Sequence, residues 1–140
     1  MDQDAKPVIL MLDPGETGIL GGMTVRNSGD SPIQLEVNGE GPVLRGKMMI
    51  APDQATSPAL RVYLAVQSMY LEPQSFPQTY KPFLDMAREL VGQVPSTGVI
   101  MAEIGEYLAA GDFRCALEQC FDLLRYEALL EEKAMEGKKK

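Results

Sequence analysis

The chain has 140 residues, is 45% hydrophobic, and carries 13 basic against 20 acidic side chains, a net charge of −7. That length fits one compact domain or two small halves sharing a core, and the acidic balance speaks against a broad nucleic-acid-binding surface. No apolar run approaches the roughly 18 residues of a membrane span, and the N-terminus lacks the basic start and long apolar region of a secretory signal. Histidine, the commonest general base and metal ligand, is absent.

In chain order, Met1 to Pro7 is polar and reads as a frayed end. Val8–Leu12 is a short, continuously apolar run that reads as a buried strand. It stops at Asp13–Pro14–Gly15–Glu16, where proline presets the first turn dihedral and glycine supplies the positive one. Gly21–Gly22 and Ser28–Gly29–Asp30–Ser31 mark further turns, and Asn38–Gly39 carries the strongest hairpin signal. Ile33, Leu35 and Val37 alternate with Gln34 and Glu36, as on a strand with one buried face. A last strand is expected over Val43–Met48, with Arg45 and Lys47 on one face and Leu44 and Met48 on the other. Turn signals about every ten residues predict a small antiparallel β-meander or partial barrel of about five strands.

The stretch Ala55–Leu71 changes the pattern. Ser57 is placed to cap a helix and Pro58 suits its first turn. The helix that follows is apolar almost all round, with Arg61, Ser68 and Glu72 on a narrow polar stripe. It is expected to pack against both halves of the chain. A second helix runs from near Pro77 to Val94, with Pro82 in its first turn unless the helix starts later, at that proline. A third covers Val99 to Ala110, with Gly111 as its C-terminal cap. Asp112 caps a fourth, from Phe113 to about Ala134, whose buried stripe is read as Phe113, Ala116, Leu117, Cys120, Leu124 and Ala128. The string around Gly111 resembles one tetratricopeptide turn, a packing device or a docking surface. The lysine tail from Gly137 reads as disordered. The fold class is therefore α+β: a β half over 1–56 and a helical half over 57–140, whose last two helices form an antiparallel hairpin on one shared core.

Chemical motifs are absent. There is no phosphate loop, no nucleophile elbow and no Cys/His metal spacing, so neither an enzyme nor a bound cofactor or metal is expected. Cys115 sits where a first helical turn can stabilise a thiolate, or it is a small half-buried side chain. Cys115 and Cys120 point about 140° apart on one helix, so a mutual disulfide is not expected and a cytoplasmic location fits. Arg26, Arg45 and Lys47 are either solvated strand residues or a small electropositive spot for phosphates. Arg114 and Arg125 lie on the polar face of the last helix and are the candidate contacts for a protein partner.

Ala55-Thr56-Ser57-Pro58, Arg61, Tyr63-Leu64, Gln67 and Met69-Tyr70 together resemble the signature of the FlbT family of flagellar post-transcriptional regulators. The likeness extends to Pro14-Gly15-Glu16, Leu44-Arg45-Gly46-Lys47 and Pro52. The family carries basic residues where this chain has Asp13, Thr17, Asp30 and Leu60. The resemblance implies repression of flagellin synthesis by binding the 5′ untranslated region of flagellin mRNA, with effects on translation and decay. It also implies work alongside the regulator FlaF. The alternative is an adaptor that docks FlaF or flagellin without touching RNA. No membrane contact is expected, and the oligomeric state is left open.

Overall fold

A computed structural model describes residues 7–39 and 41–138. Met1–Lys6, expected to fray, and the last two lysines of the tail lie outside the described residues. The chain divides into two compact units, Met1–Ile50 and Ala51–Lys140, with strands in the first and helices in the second, an α+β protein.

Five short strands build the first unit: β1 (Val8–Leu12), β2 (Thr17–Leu20), β3 (Met23–Arg26), β4 (Ile33–Val37) and β5 (Val43–Arg45). The turn at Asp13–Glu16 forms as its sequence dictates. The Glu16 N–H donates to the Asp13 carbonyl at 2.9 Å, and Gly15 holds φ +79° after Pro14. Gly21–Gly22 closes a two-residue hairpin between β2 and β3, with Gly21 at φ +63°. β1 is not buried on both faces as its unbroken apolar run suggests, because only one side of this small sheet is covered. Leu10 and Leu12 are buried while Ile9 and Met11 are half exposed. On β4, Ile33 stays exposed while Leu35 and Val37 are half-buried.

The pairing differs from a meander in one respect. Among the described residues the strands form two antiparallel sheets, β1–β4 and β3–β2–β5, and only β2 and β3 pair as chain neighbours. Asn38–Gly39 therefore does not close a hairpin. Gly39 and Gly41 both take positive φ, and the segment carries the chain from one sheet to the other. A dipeptide fixes a turn's dihedrals, but long-range partners decide which strands it joins. The last strand also ends earlier than expected. It stops at Arg45, and Gly46–Met48 is a single 3-10 turn that takes Lys47 off the strand. A Cβ on Gly46 would lie 2.4 Å from the Thr17 carbonyl oxygen, so this close approach requires glycine.

In the second unit, α1 (Pro58–Leu71) opens on the expected cap, with the Leu60 N–H donating to Ser57 Oγ at 3.2 Å. Val62, Tyr63, Val66 and Met69 are fully or almost fully buried, and Arg61 and Ser68 lie on the exposed stripe. α2 spans Phe76–Gln93, α3 Gly98–Ala109 and α4 Phe113–Lys138. α1 packs on α2 and α4, and α3 packs along α4.

Pro82 lies inside α2 rather than in its first turn. The helix starts early because an aromatic cluster anchors it. Phe76 stacks on Phe113 with ring centroids 5.5 Å apart and meets Tyr80 at 4.8 Å. Pro82 then costs one hydrogen bond, on an exposed side of the helix.

α3 ends in the geometry expected at Gly111. Gly111 takes φ +78°, its N–H donates to the Leu108 carbonyl, and the Asp112 N–H donates to the Tyr107 carbonyl at 2.9 Å. Asp112 Oδ1 then accepts from the Cys115 N–H, capping α4. α4 continues past Ala134 to Lys138, so Gly137 and Lys138 are helical rather than a disordered tail. Its buried stripe also differs from expectation. Ala116, Leu117, Cys120 and Leu123 are buried, whereas Phe113 and Leu124 are half-buried and Ala128 is exposed. The seam follows spacings of three and four residues, so Leu123 faces in and Leu124 is carried to the flank.

Candidate functional site

Glu16 organises the polar centre of the β unit. It leaves the turn after β1 with a side chain only 8% exposed. Its carboxylate accepts a forked pair from Arg45, Nε to Oε2 at 3.0 Å and NH2 to Oε1 at 2.8 Å. The same oxygens accept the backbone N–H groups of Asp13, at 2.9 Å, and Lys47, at 3.2 Å. The Arg45 guanidinium holds the Glu16 carboxyl well below the usual carboxylate range, at about 2, with both backbone N–H groups adding to the effect. The pairing raises Arg45 in turn.

This clasp ties the first turn to the end of β5. It gives Pro14-Gly15-Glu16 and Leu44-Arg45-Gly46-Lys47 a common structural reason. Glycine at 15 bends the turn that presents Glu16, Arg45 answers its charge, and glycine at 46 lets β5 close on Thr17. The sequence places both fragments but carries no local signal that they meet.

The three basic residues singled out for RNA do not form one free patch. Arg45 is held by Glu16, and Asp13 lies 3.6 Å from the same guanidinium. Lys47 Nζ pairs with the Asp13 carboxylate. Arg26 is exposed and makes no ion pair among the described residues. The register sets Arg26 opposite Thr17 and Arg45 opposite Gly18. Adjacent residues of β2 point to opposite faces, so Arg26 and Arg45 leave the sheet on opposite sides.

Buried Asn27 was missed by sequence reasoning. It is 3% exposed, and its Nδ2 donates to the Leu12 carbonyl at 3.0 Å and the Ser31 carbonyl at 2.9 Å. Its Oδ1 accepts the Gly29 N–H, an Asx turn that the following Ser-Gly could have signalled. A second missed feature is legible in the chain itself. All nine aromatic residues lie between Tyr63 and Tyr126, so the β unit offers no aromatic ring on which a base can stack.

On α4, Arg114 pairs with Glu118 at 3.1 Å and Arg125 pairs with Asp122. Both pairs are intrahelical and solvent-facing, and they leave the two arginines one above the other along the helix. Glu127, on the inner seam of α4, reaches the start of α1. It accepts from Ser57 Oγ at 2.6 Å and from the Ala59 N–H at 3.2 Å, placing a carboxylate at the positive end of that helix. A cavity of about 60 Å³ opens beside it, lined by Pro58, Leu90, Val94, Leu123 and Leu130 among others.

Neither cysteine is poised for chemistry. Hydrogen bonding to Asp112, with some burial, pushes the Cys115 thiol up to about 11, and burial pushes Cys120 up to about 12. Both are free thiols. Among the described residues, no group of three or more potential metal-ligating side chains gathers, and no helix is long and apolar enough to cross a membrane.

Fold and charge layout define a small two-unit α+β protein whose motif residues serve an internal ion-pair clasp. The family described as Flagellar protein FlbT matches residues 8–130, and the chain belongs to that family. It is 36% identical over 121 residues to the probable flagellum biosynthesis repressor protein FlbT 1 of Bradyrhizobium diazoefficiens, covering 85% of this chain and 81% of that one. It is 33% identical over 123 residues to the flagellum biosynthesis repressor protein FlbT of Caulobacter vibrioides, covering 86% of each. No solved structure matches the chain.

Proposed function

We propose that this protein is a cytoplasmic repressor of flagellin synthesis that acts on the 5′ untranslated region of flagellin mRNA, lowering its translation and promoting its decay. The observation that carries the reading is the match along residues 8–130 to a family whose relatives are named flagellum biosynthesis repressors. Among the described residues, Arg26 and Lys47 are the exposed basic side chains of the β unit. Lys47 must exchange Asp13 for the nucleic acid. Arg45 serves the fold through Glu16, so its replacement would test folding rather than contact. The direct test is retention of a flagellin leader RNA by the purified protein, compared with Arg26→Ala and Lys47→Ala.

A second reading is favoured by a specific observation. Among the described residues, the basic side chains of the β unit are split between two faces, Arg45 and Lys47 are ion-paired, and no aromatic ring accompanies them. This arrangement suits a protein adaptor that docks FlaF or flagellin through its helices. Arg114→Glu with Arg125→Glu is expected to release such a partner while changing stability by no more than about 0.5 kcal/mol per site. A nuclease-treated pull-down from a flagellated cell reads the outcome. Unchanged retention of the flagellar protein by the double variant removes this face as the docking surface.

A further inference from the structure

β4 is an open edge. Among the described residues its ladder runs to β1 alone, with an unbroken five-pair register from Ile33↔Leu12 to Val37↔Val8. The opposite side of the strand presents a row of backbone N–H and C=O groups without a strand to receive them. Native sheets commonly blunt such an edge with lysine, an internal proline or a bulge. β4 has none of these. Pro32 stands before the strand, the register carries no bulge, and Glu36 is its one charge. A two-stranded sheet is also marginal by itself, and Ile33 remains 37% exposed on this one.

We propose that β4 pairs antiparallel with β4 of a second copy of this chain, Leu35 lying on the two-fold axis. The strand Ile-Gln-Leu-Glu-Val reads apolar–polar–apolar–polar–apolar in either direction, so a two-fold keeps apolar side chains on one face and polar ones on the other. In this register Ile33 meets Val37, Leu35 meets Leu35, and the Gln34 amide donates to the Glu36 carboxylate at two symmetric places. The neighbouring registers that preserve the faces are worse. A shift one way sets Glu36 against Glu36, a like-charge contact in a chain already at −7. A shift the other way sets Glu36 against Pro32, which has no N–H to give. The charge pattern of the edge therefore selects both its occupant and its register, and joins the two-stranded sheets of two copies into one of four strands.

The test is sedimentation equilibrium of the full chain over a concentration series, with Gln34→Glu and Gln34→Lys beside the wild type. Gln34 is exposed, so both variants are expected to keep the wild-type circular dichroism and, at concentrations where the chain is monomeric, its melting temperature. The wild type is expected to show a monomer–dimer equilibrium. Gln34→Glu places carboxylates opposite one another twice and weakens the dimer roughly three- to ten-fold, while Gln34→Lys strengthens it by a similar factor. A wild type that is monomeric at every concentration overturns the proposal. So does a dimer whose constant moves with neither variant, because the copies then meet through another surface.

Discussion

The two units of this protein are encoded in different ways. In the helical unit the helix boundaries are set mostly by local signals, although Glu127 and the Phe76–Phe113 stack add contacts between distant helices. Ser57 caps its own helix, Gly111 and Asp112 end one helix and start the next, and residues three or four apart bury together. In the β unit the decisive contacts join residues far apart in sequence. Glu16 holds Arg45 across 29 positions, Asn27 holds the Leu12 carbonyl across 15, and Gly46 closes on Thr17. The helical unit therefore rests mainly on apolar burial, while the small β unit adds a polar clasp to compensate for a thin core. Motif residues that look like ligand contacts in a sequence can be the residues that hold such a clasp.

The comparison breaks first if the helical core tolerates charge. Val66 is fully buried in α1, so Val66→Asp puts a carboxylate where none can be solvated. A loss of more than about 4 kcal/mol is expected, read as insolubility or a collapsed melting transition. A soluble variant with an unchanged melting temperature would show that α1 is not the core element described here.

Gly46→Ala asks the same of the β unit. The added Cβ meets a backbone oxygen, which cannot swing aside as a flexible side chain would. A cost of about 1–3 kcal/mol is expected. Because every aromatic residue lies in the helical unit, tyrosine fluorescence follows that unit alone, and amide NMR resonances of residues 8–45 follow the other. The loss should appear first in the amides.

Acid sharpens the contrast. The folded Glu16 carboxyl titrates at about 2 against an ordinary 4.5. A folded value below the unfolded one contributes stability that is present above the unfolded value and is lost as pH falls through the folded one. The β unit is therefore expected to weaken between about pH 4.5 and 2, and Glu16→Gln to remove that part of the pH dependence while lowering stability at neutral pH. Identical acid profiles for the two proteins would mean that the clasp contributes nothing to folding.

The same division explains what could be read from the chain in advance. The α+β class, the five strands, the four helices, Ser57, Gly111 and Asp112 as caps, and the Pro14–Gly15 turn were legible because each depends on residues within a few positions of one another. Asn38–Gly39 misled because its hairpin signal is local while β4 and β5 take partners elsewhere. Leu123 displaced Leu124 on the α4 seam because a long packed helix follows its neighbours rather than a fixed angle per residue. Of the candidate contacts, Arg26 and Lys47 were placed on exposed surface as expected, but the commitment of Arg45 to Glu16 was invisible without the fold.

The most direct test of the repressor account is a titration of flagellin leader RNA against the full chain at several salt concentrations. With Arg26 and Lys47 as the contacts, the log–log salt slope for a single strand should be no steeper than roughly −1.4. Arg26→Ala combined with Lys47→Ala is expected to weaken binding and flatten that slope while leaving the fold intact. Absence of any binding at low salt would contradict direct action on the leader and leave the adaptor as the working mechanism.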